Sequence, residues 1–255
     1  MISSLHKNGI EVILDVVYNH TAEGGSGGKV YNFKAMDENT FYIKNKNNIF
    51  VNFSGCGNTL NCNHKVVKDM IIQSLLYWYL ETGVDGFRFD LASVLGRDSN
   101  GQWAKHSLLH ELIEHPILSH AKLIAESWDL GGYFVGAMPS GWSEWNGAYR
   151  DTVRQFIRGD FNQVPELIKR IFGSVDIFHA NKNGYQSSIN FICCHDGFTM
   201  WDLVSYNLKH NLLNGENNQD GDNNNHSYNH GEEGLTHNLQ IISLRKQQIK
   251  NMILI

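Results

Sequence analysis

The stretch VVKDMIIQSLLYWYLETGVDGFRFDL, residues 66–91, decides the fold. Val66 to Glu81 repeats apolar residues at spacings of three and four, the period of a helix with one buried face. Gly83 supplies a helix stop. Gly86 to Leu91 then reads as a short apolar run interrupted by Arg88 and Asp90, a strand buried on both faces. A helix, a tight stop and a strand ending in an acid make one repeat of a parallel α/β sheet.

Three more apolar runs end in the same way. Glu11 to Val17 runs into Tyr18, Asn19 and His20; Lys122 to Ala125 runs into Glu126; Ser188 to Cys194 runs into His195 and Asp196. Helical patterns lie at Gln102 to Glu114, Pro165 to Phe172 and Ile241 to Ile255. Two stretches stand outside this alternation. Gly24 to Gly28 is a glycine-rich turn, and Asn214 to Gly234 is a long Asn- and Gly-rich loop, a length that within a compact domain is disordered or binds something. No repeat and no interdomain linker is visible.

Composition narrows the function. The 255 residues are 42% hydrophobic, 18% charged and 11% aromatic, which excludes a disordered, collagen-like or coiled-coil chain. The formal charge is 21 − 26 = −5, so the basic footprint of a nucleic-acid binder is missing. An acidic chain rich in Trp, Tyr and Asn suits a neutral, hydroxyl-rich ligand. No apolar run reaches the roughly 18 to 20 residues of a membrane span, and the opening residues lack the pattern of a secretory leader. Cys56, Cys62, Cys193 and Cys194 form neither a disulfide framework nor a paired metal motif and read as reduced thiols, as in cytosol or plastid.

Polar residues at the carboxyl ends of parallel strands are where a (β/α)8 barrel places its active site. Taken singly, Asp90 reads as a turn or capping residue, Glu126 as a surface acid and His20 as a loop histidine. Together with Asp196, Arg88 and His195 they call for one explanation. Three converging acids push their pKa values apart, so that one serves as a proton donor while another attacks as an anion. Arg88, on the same strand face as Asp90, holds it charged, and His20 and His195 are placed to donate to substrate hydroxyls. A metal-dependent hydrolase is the rival built from the same residue types, but the histidines are dispersed and no H-x-H or H-E-x-x-H spacing occurs. No metal and no cofactor is called for.

The segments EVILDVVYNHTAEGG (11–25), GVDGFRFDLASVLGRD (83–98), LIAESWDLGG (123–132) and NFICCHDGF (190–198) resemble the four signature segments of the α-amylase superfamily of glycoside hydrolases. GCGNTLNCNH (55–64), WSEWNGAYRDTVRQFIRGD (142–160) and the stretch from His195 to Gly234 narrow the resemblance to isoamylase-type starch and glycogen debranching enzymes. It covers essentially the whole chain and makes the Asn-rich loop a family element. It implies a retaining hydrolase of α-1,6 branch linkages in amylopectin or glycogen. Asp90 matches the nucleophile, Glu126 the general acid/base and Asp196 the third carboxylate, which binds sugar hydroxyls. Asp15, His20, Arg88 and His195 match the residues around the bound glucose unit. Trp128, with Trp142, Trp145 and Tyr149, is a candidate stacking platform for sugars.

Ser127 and Lys65 replace the commoner Ala and Pro, and Gly96 to Ala121 is shorter than usual. Asn19 follows the calcium-associated position of true amylases, a site that debranching enzymes do not reliably use. Aligned on the family, Met1 falls in the helix before barrel strand 3 and Ile255 in the helix before strand 8. The expectation is therefore a partial (β/α)8 barrel of about strands 3 to 7 across residues 1–255, without the first two strands and the last. The same alignment leads to the expectation that the flanking carbohydrate-binding domain and β-sandwich are absent from these residues. Such an open barrel exposes strand edges, and the chain alone is expected to be insoluble or inactive. The alternative function is a non-catalytic glucan-binding subunit that pairs with an active isoamylase in a homo- or hetero-oligomer; family paralogues of that kind have lost the acids, which this chain keeps. A branching enzyme or α-1,4 amylase shares the four segments but not the His195 to Gly234 stretch. Plastid and cytoplasm are the expected compartments.

Overall fold

The computed structural model describes residues 1–179 and 184–255, which group into two compact units: residues 1–145 with 177–187, and residues 146–176 with 188–255.

In the first unit a short helix, Ile2–His6 (α1), leads into strand β1, Ile13–Val16. Helices Phe33–Phe41 (α2, kinked at Asp37) and Lys65–Tyr77 (α3) precede strand β2, Gly86–Phe89. Helix Leu108–Glu114 (α4) precedes β3, Lys122–Ala125. A small hairpin, Trp128–Asp129 (β4) and Gly132–Tyr133 (β5), comes before β6, Ser143–Trp145. Strands β1, β2, β3 and β6 lie side by side in that order, all parallel, with β1 at the edge.

The helix read from residues 66–81 is there. α3 buries Val67, Ile71 and Leu75, one residue per turn, continues through a widened π-turn at Trp78–Thr82, and ends on Gly83 at φ +76°, a left-handed conformation that glycine adopts without strain. All four residues of β2 are buried, the signature of a strand covered on both faces. Around it Phe87, Phe89, Leu75, Leu95, Leu109 and Trp142 form one core.

The register aligns the strand ends. Val16 pairs with Phe89 and Phe89 with Ala125, so Asp90 and Glu126 both leave the sheet one residue past the same level. The ladder runs on to them, with the Asp90 amide donating to Val16 O at 3.0 Å and the Glu126 amide to Phe89 O at 3.1 Å.

The second unit holds Gly147–Arg158 (α5) and Val164–Ile171 (α6). A single turn, Val175–Phe178 (α7), lies where the chain passes between the two residue sets. The rest of the second unit comprises a two-residue strand, Ser188–Ile189 (β7), one turn at Met200–Leu203 (α8), and Leu239–Leu254 (α9). Its core comprises Val153, Ile157, Leu167, Leu203, Val204 and Met252.

Two expectations are shortened. The helix read at Gln102 to Glu114 begins only at Leu108, because Asp98 Oδ1 accepts the amides of Asn100 and Gln102 and bends the preceding residues into a turn. The strand read at Ser188 to Cys194 pairs only over Ser188–Ile189; Ile192 and Cys193 instead pack against the second unit's core. All four cysteines are free thiols. Among the described residues no helix is long and apolar enough to cross a membrane.

Phe89 is fully buried and meets Trp142 edge-on, ring centroids 5.0 Å apart. Phe89→Ala is expected to cost about 3–5 kcal/mol in urea unfolding; a loss below about 1 kcal/mol would contradict the core described here.

Candidate active site

In the first unit the sheet delivers four of the expected site residues to one place, and a single side chain joins them. Arg88 is almost fully buried on β2. Its Nη1 donates to Asp15 Oδ1 at 2.8 Å and to Asp90 Oδ1 at 3.2 Å, and its Nη2 donates to Glu126 Oε2 at 2.6 Å. The indole of Trp145, from β6, covers the guanidinium at 4.1 Å, a cation–π contact. Burial opposes charge on Arg88, but Glu126, Asp15 and Asp90 outweigh it and raise its pKa above the ordinary value.

The two acids beyond the strand ends sit in different surroundings. Asp90 keeps a solvent-facing side and receives Asn19 Nδ2 at 2.7 Å on its other oxygen, while the same amide group also donates to the Asp90 carbonyl. Glu126 is buried; its Oε2 accepts from Arg88 and from the Leu91 amide at 3.0 Å. To aim that amide, Leu91 takes φ +40°, a left-handed backbone that costs a non-glycine residue on the order of 1 kcal/mol. Burial raises the Glu126 pKa to about 7 against the opposing pull of Arg88, and the nearby Asp90 carboxylate adds to the rise.

His20 faces this pair through Asn19. Because Asn19 Nδ2 points at Asp90, its Oδ1 must accept, so His20 Nδ1 carries the donated proton and Nε2 is left as acceptor in the neutral ring. Burial lowers the His20 pKa, and the Asp90 charge opposes that only in part. Asn19 and Trp145 are thus site residues in their own right. The strand-end pattern includes Asn19 without giving it a role, and Trp145 reads in the sequence only as a candidate sugar platform; their contacts with Asp90 and Arg88 show only in the fold.

Trp128 lies on β4, its ring parallel to that of Tyr133 with centroids 5.8 Å apart and an interplanar angle of 6°. The hairpin is held from below by the buried side chain of Asp129, which receives Arg97 Nε and Nη2 at 2.9 and 2.7 Å and Ser93 Oγ at 2.7 Å. Two of the proposed sugar platforms are not platforms. Trp142 is wholly buried with its Nε1 donating to Leu109 O, and Tyr149 belongs to the second unit's core. An aromatic inside a signature segment reads the same whether it packs or stacks.

Asp196 and His195 belong to the second unit. Asp196 is about half exposed, with His195 Nε2 3.3 Å from its Oδ1. They border a cavity of about 310 Å3, whose walls include Phe198, Tyr206, Lys209 and Asp220 from the Asn-rich segment and its approach. Among the described residues no cluster of three or more His, Cys, Asp or Glu side chains is placed to hold a metal ion.

No family model matches the chain. Curated proteins do. Rice (Oryza sativa subsp. japonica) chloroplastic isoamylase 3 is 50% identical over 258 residues, 98% of this chain and 33% of the relative. Maize (Zea mays) chloroplastic isoamylase SU1 is 47% identical over 96% of this chain and 34% of its own length. A glycogen operon protein GlgX homologue from Mycobacterium tuberculosis is 48% identical over 99% and 36%.

Its homologues are isoamylases and GlgX proteins.

The chain spans about a third of the length of these relatives. Among solved structures, the pullulanase of Anoxybacillus sp. LM18-11 complexed with maltotriose superposes with a TM-score of 0.63 at 30% identity, covering 79% of this chain and 29% of that one. The pullulanase of Bacillus acidopullulyticus gives 0.62 at 30% identity, covering 79% and 25%. The parallel α/β sheet with its crossover helices is a partial (β/α)8 barrel of the kind seen in those pullulanases, as the resemblance implied.

The raised Glu126 pKa has a consequence for stability. Folded Glu126 holds its proton up to about pH 7, whereas an ordinary glutamate releases it near 4.5. Between those values the folded state binds more protons than the unfolded one, so this residue makes stability fall as pH rises from about 4.5 to 7, with no further loss above. Urea unfolding of the protein and of Glu126→Gln across that range is expected to show the decline reduced in the variant. Parallel curves would contradict the assignment.

Proposed function

We propose that this chain is part of a retaining glycoside hydrolase that cleaves α-1,6 branch linkages of amylopectin or glycogen. The observation that carries the reading is the Arg88 fork, which holds Asp90 and Glu126 on its two nitrogens while leaving them in unlike environments. A shared guanidinium keeps the two carboxyls near each other, which supports double displacement; inverting enzymes keep theirs farther apart to admit water.

In this reading protonated Glu126 donates to the glycosidic oxygen as Asp90 attacks the anomeric carbon. The C–O bond to the departing chain breaks and an ester to Asp90 forms. Glu126, now ionised, then takes a proton from water, whose oxygen displaces Asp90 and releases the sugar with its configuration retained. Asn19 and Arg88 orient the nucleophile and stabilise it when it leaves as an anion. Asp15, His20, Trp128, His195 and Asp196 serve as the sugar-binding set, Asp196 as the third carboxylate. The proposal takes residues 1–255 as part of one catalytic barrel, with branched α-glucan as partner, plastid or cytoplasm as compartment, and association with other debranching subunits as its oligomeric form. The non-catalytic subunit is not favoured, since the chain retains all three acids and the arginine that joins two of them.

The test is release of linear chains from amylopectin and glycogen by the whole enzyme that contains residues 1–255, read as new reducing ends and as chain-length profiles. Asp90→Ala is expected to abolish release, and Glu126→Gln to lower kcat about 10²- to 10⁴-fold. In the unmodified protein kcat is expected to fall as pH rises through about 7, where Glu126 loses its proton. Undiminished chain release by Asp90→Ala would reject the proposal.

A further inference from the structure

The Asn-rich segment is an ordered cradle, and its bonds converge on the backbone of Asp196. Lys209 extends its ammonium to the Asp220 carbonyl at 2.7 Å and reaches the Gly221 carbonyl at 3.4 Å. Lys209 is itself fixed from behind, since Asn218 Nδ2 donates to its carbonyl at 3.1 Å while Asn218 Oδ1 accepts the Asn211 amide. Asn214 Nδ2 holds Asp220 Oδ2 at 2.7 Å.

The turn so anchored touches Asp196 directly. The Asp222 amide donates to the Asp196 carbonyl at 2.7 Å. Gly221, at φ +67°, lies so close beneath that carbonyl that a Cβ there would come within 3.1 Å of it. From the other side the buried side chain of Asn225 accepts the Phe198 amide at 2.8 Å and donates to the Asp222 carbonyl at 2.7 Å. Arg154, also buried, ties Ile192 O and Asn225 O together. Asp196 therefore sits on a strand end that β7 does not extend to, held by turn contacts in place of a sheet ladder. A half-exposed carboxylate on such a segment needs this outside support to keep one orientation.

We infer that Lys209 is a positioning residue for Asp196: by binding the Asp220 and Gly221 carbonyls it sets the turn whose Asp222 amide fixes the Asp196 backbone. This rests on the proposed role of Asp196 as third carboxylate. Lys209 lines the same cavity as Asp196, but its bonds run to the turn, so its contribution passes through Asp196. A displacement of about 1 Å in a positioned group costs on the order of 10²-fold in rate.

The experiment is a double-mutant cycle on a maltosyl substrate with an activated leaving group such as fluoride, chosen so that weak variants stay measurable. Lys209→Met is expected to lower kcat on the order of 10²-fold with KM changed less, and Lys209→Arg, which keeps the charge and donors, to recover most of the loss. In an Asp196→Ala background Lys209→Met should change kcat by less than about threefold, because its effect passes through the missing carboxylate. If Lys209→Met does not fold, Lys209→Gln enters the same cycle with the same expectation. Unmodified kcat and KM in the lysine variant, or equal fold losses in both backgrounds, would overturn the inference while leaving the hydrolase reading intact. A whole enzyme containing the unaltered chain that releases no chains from amylopectin and does not turn over the fluoride would overturn the hydrolase reading itself.

Discussion

One buried guanidinium organises the first unit's site. Arg88 comes up from the middle of a strand covered on both faces, and its desolvation is offset only because three carboxylates meet it. Replacing any one of them changes the field felt by the other two. The arrangement separates two carboxyls chemically. Asp90 takes its second bond from a neutral amide, Asn19, and keeps a face toward solvent, while Glu126 is drawn out of water against Leu91 and carries a proton near neutrality. Trp145 closes the other face of the guanidinium with a ring.

The sheet makes this possible through register. With Val16, Phe89 and Ala125 side by side, the first residues past the strands emerge at one height, and residues far apart in sequence become neighbours without any long loop having to place them. Residues 66–91 show this in the sequence itself. A helical period, a glycine stop and a short apolar run interrupted by Arg88 leave little choice of fold, and the acid after the strand marks the site. The strand at Lys122–Ala125 is legible for the same reason, and Glu126 with it.

Other elements leave no such trace. β6 is Ser143–Trp145, three residues containing a buried glutamate, and a strand that short has no apolar run to detect. α5 hides its period because Thr152 and Arg154 share its buried face with Val153 and Ile157. Conversely, the apolar run at Ser188–Cys194 overstates the strand, since its later residues serve a core and not a ladder. Asn19 reads only as one of the polar residues after a strand until Asp90 is brought to it from 71 positions away. The Asn-rich segment reads as solvated sequence, yet Asn218 and Asn225 bond to backbone groups and Asn214 to the Asp220 carboxylate: side chains that look like surface filler are the turn's hydrogen-bonding scaffold. Sequence shows the residue types at strand ends; only the fold shows which share a proton or a charge.

The division between the two carboxyls is the claim on which the chemistry stands. It is tested most directly by observing Glu126 itself: a carbon-13 NMR titration of its side-chain carboxyl in the protein, assigned by its disappearance in Glu126→Gln. The account predicts a midpoint near 7 that moves downward when Asp90 is replaced by asparagine. A midpoint near 4.5, insensitive to Asp90, would contradict it.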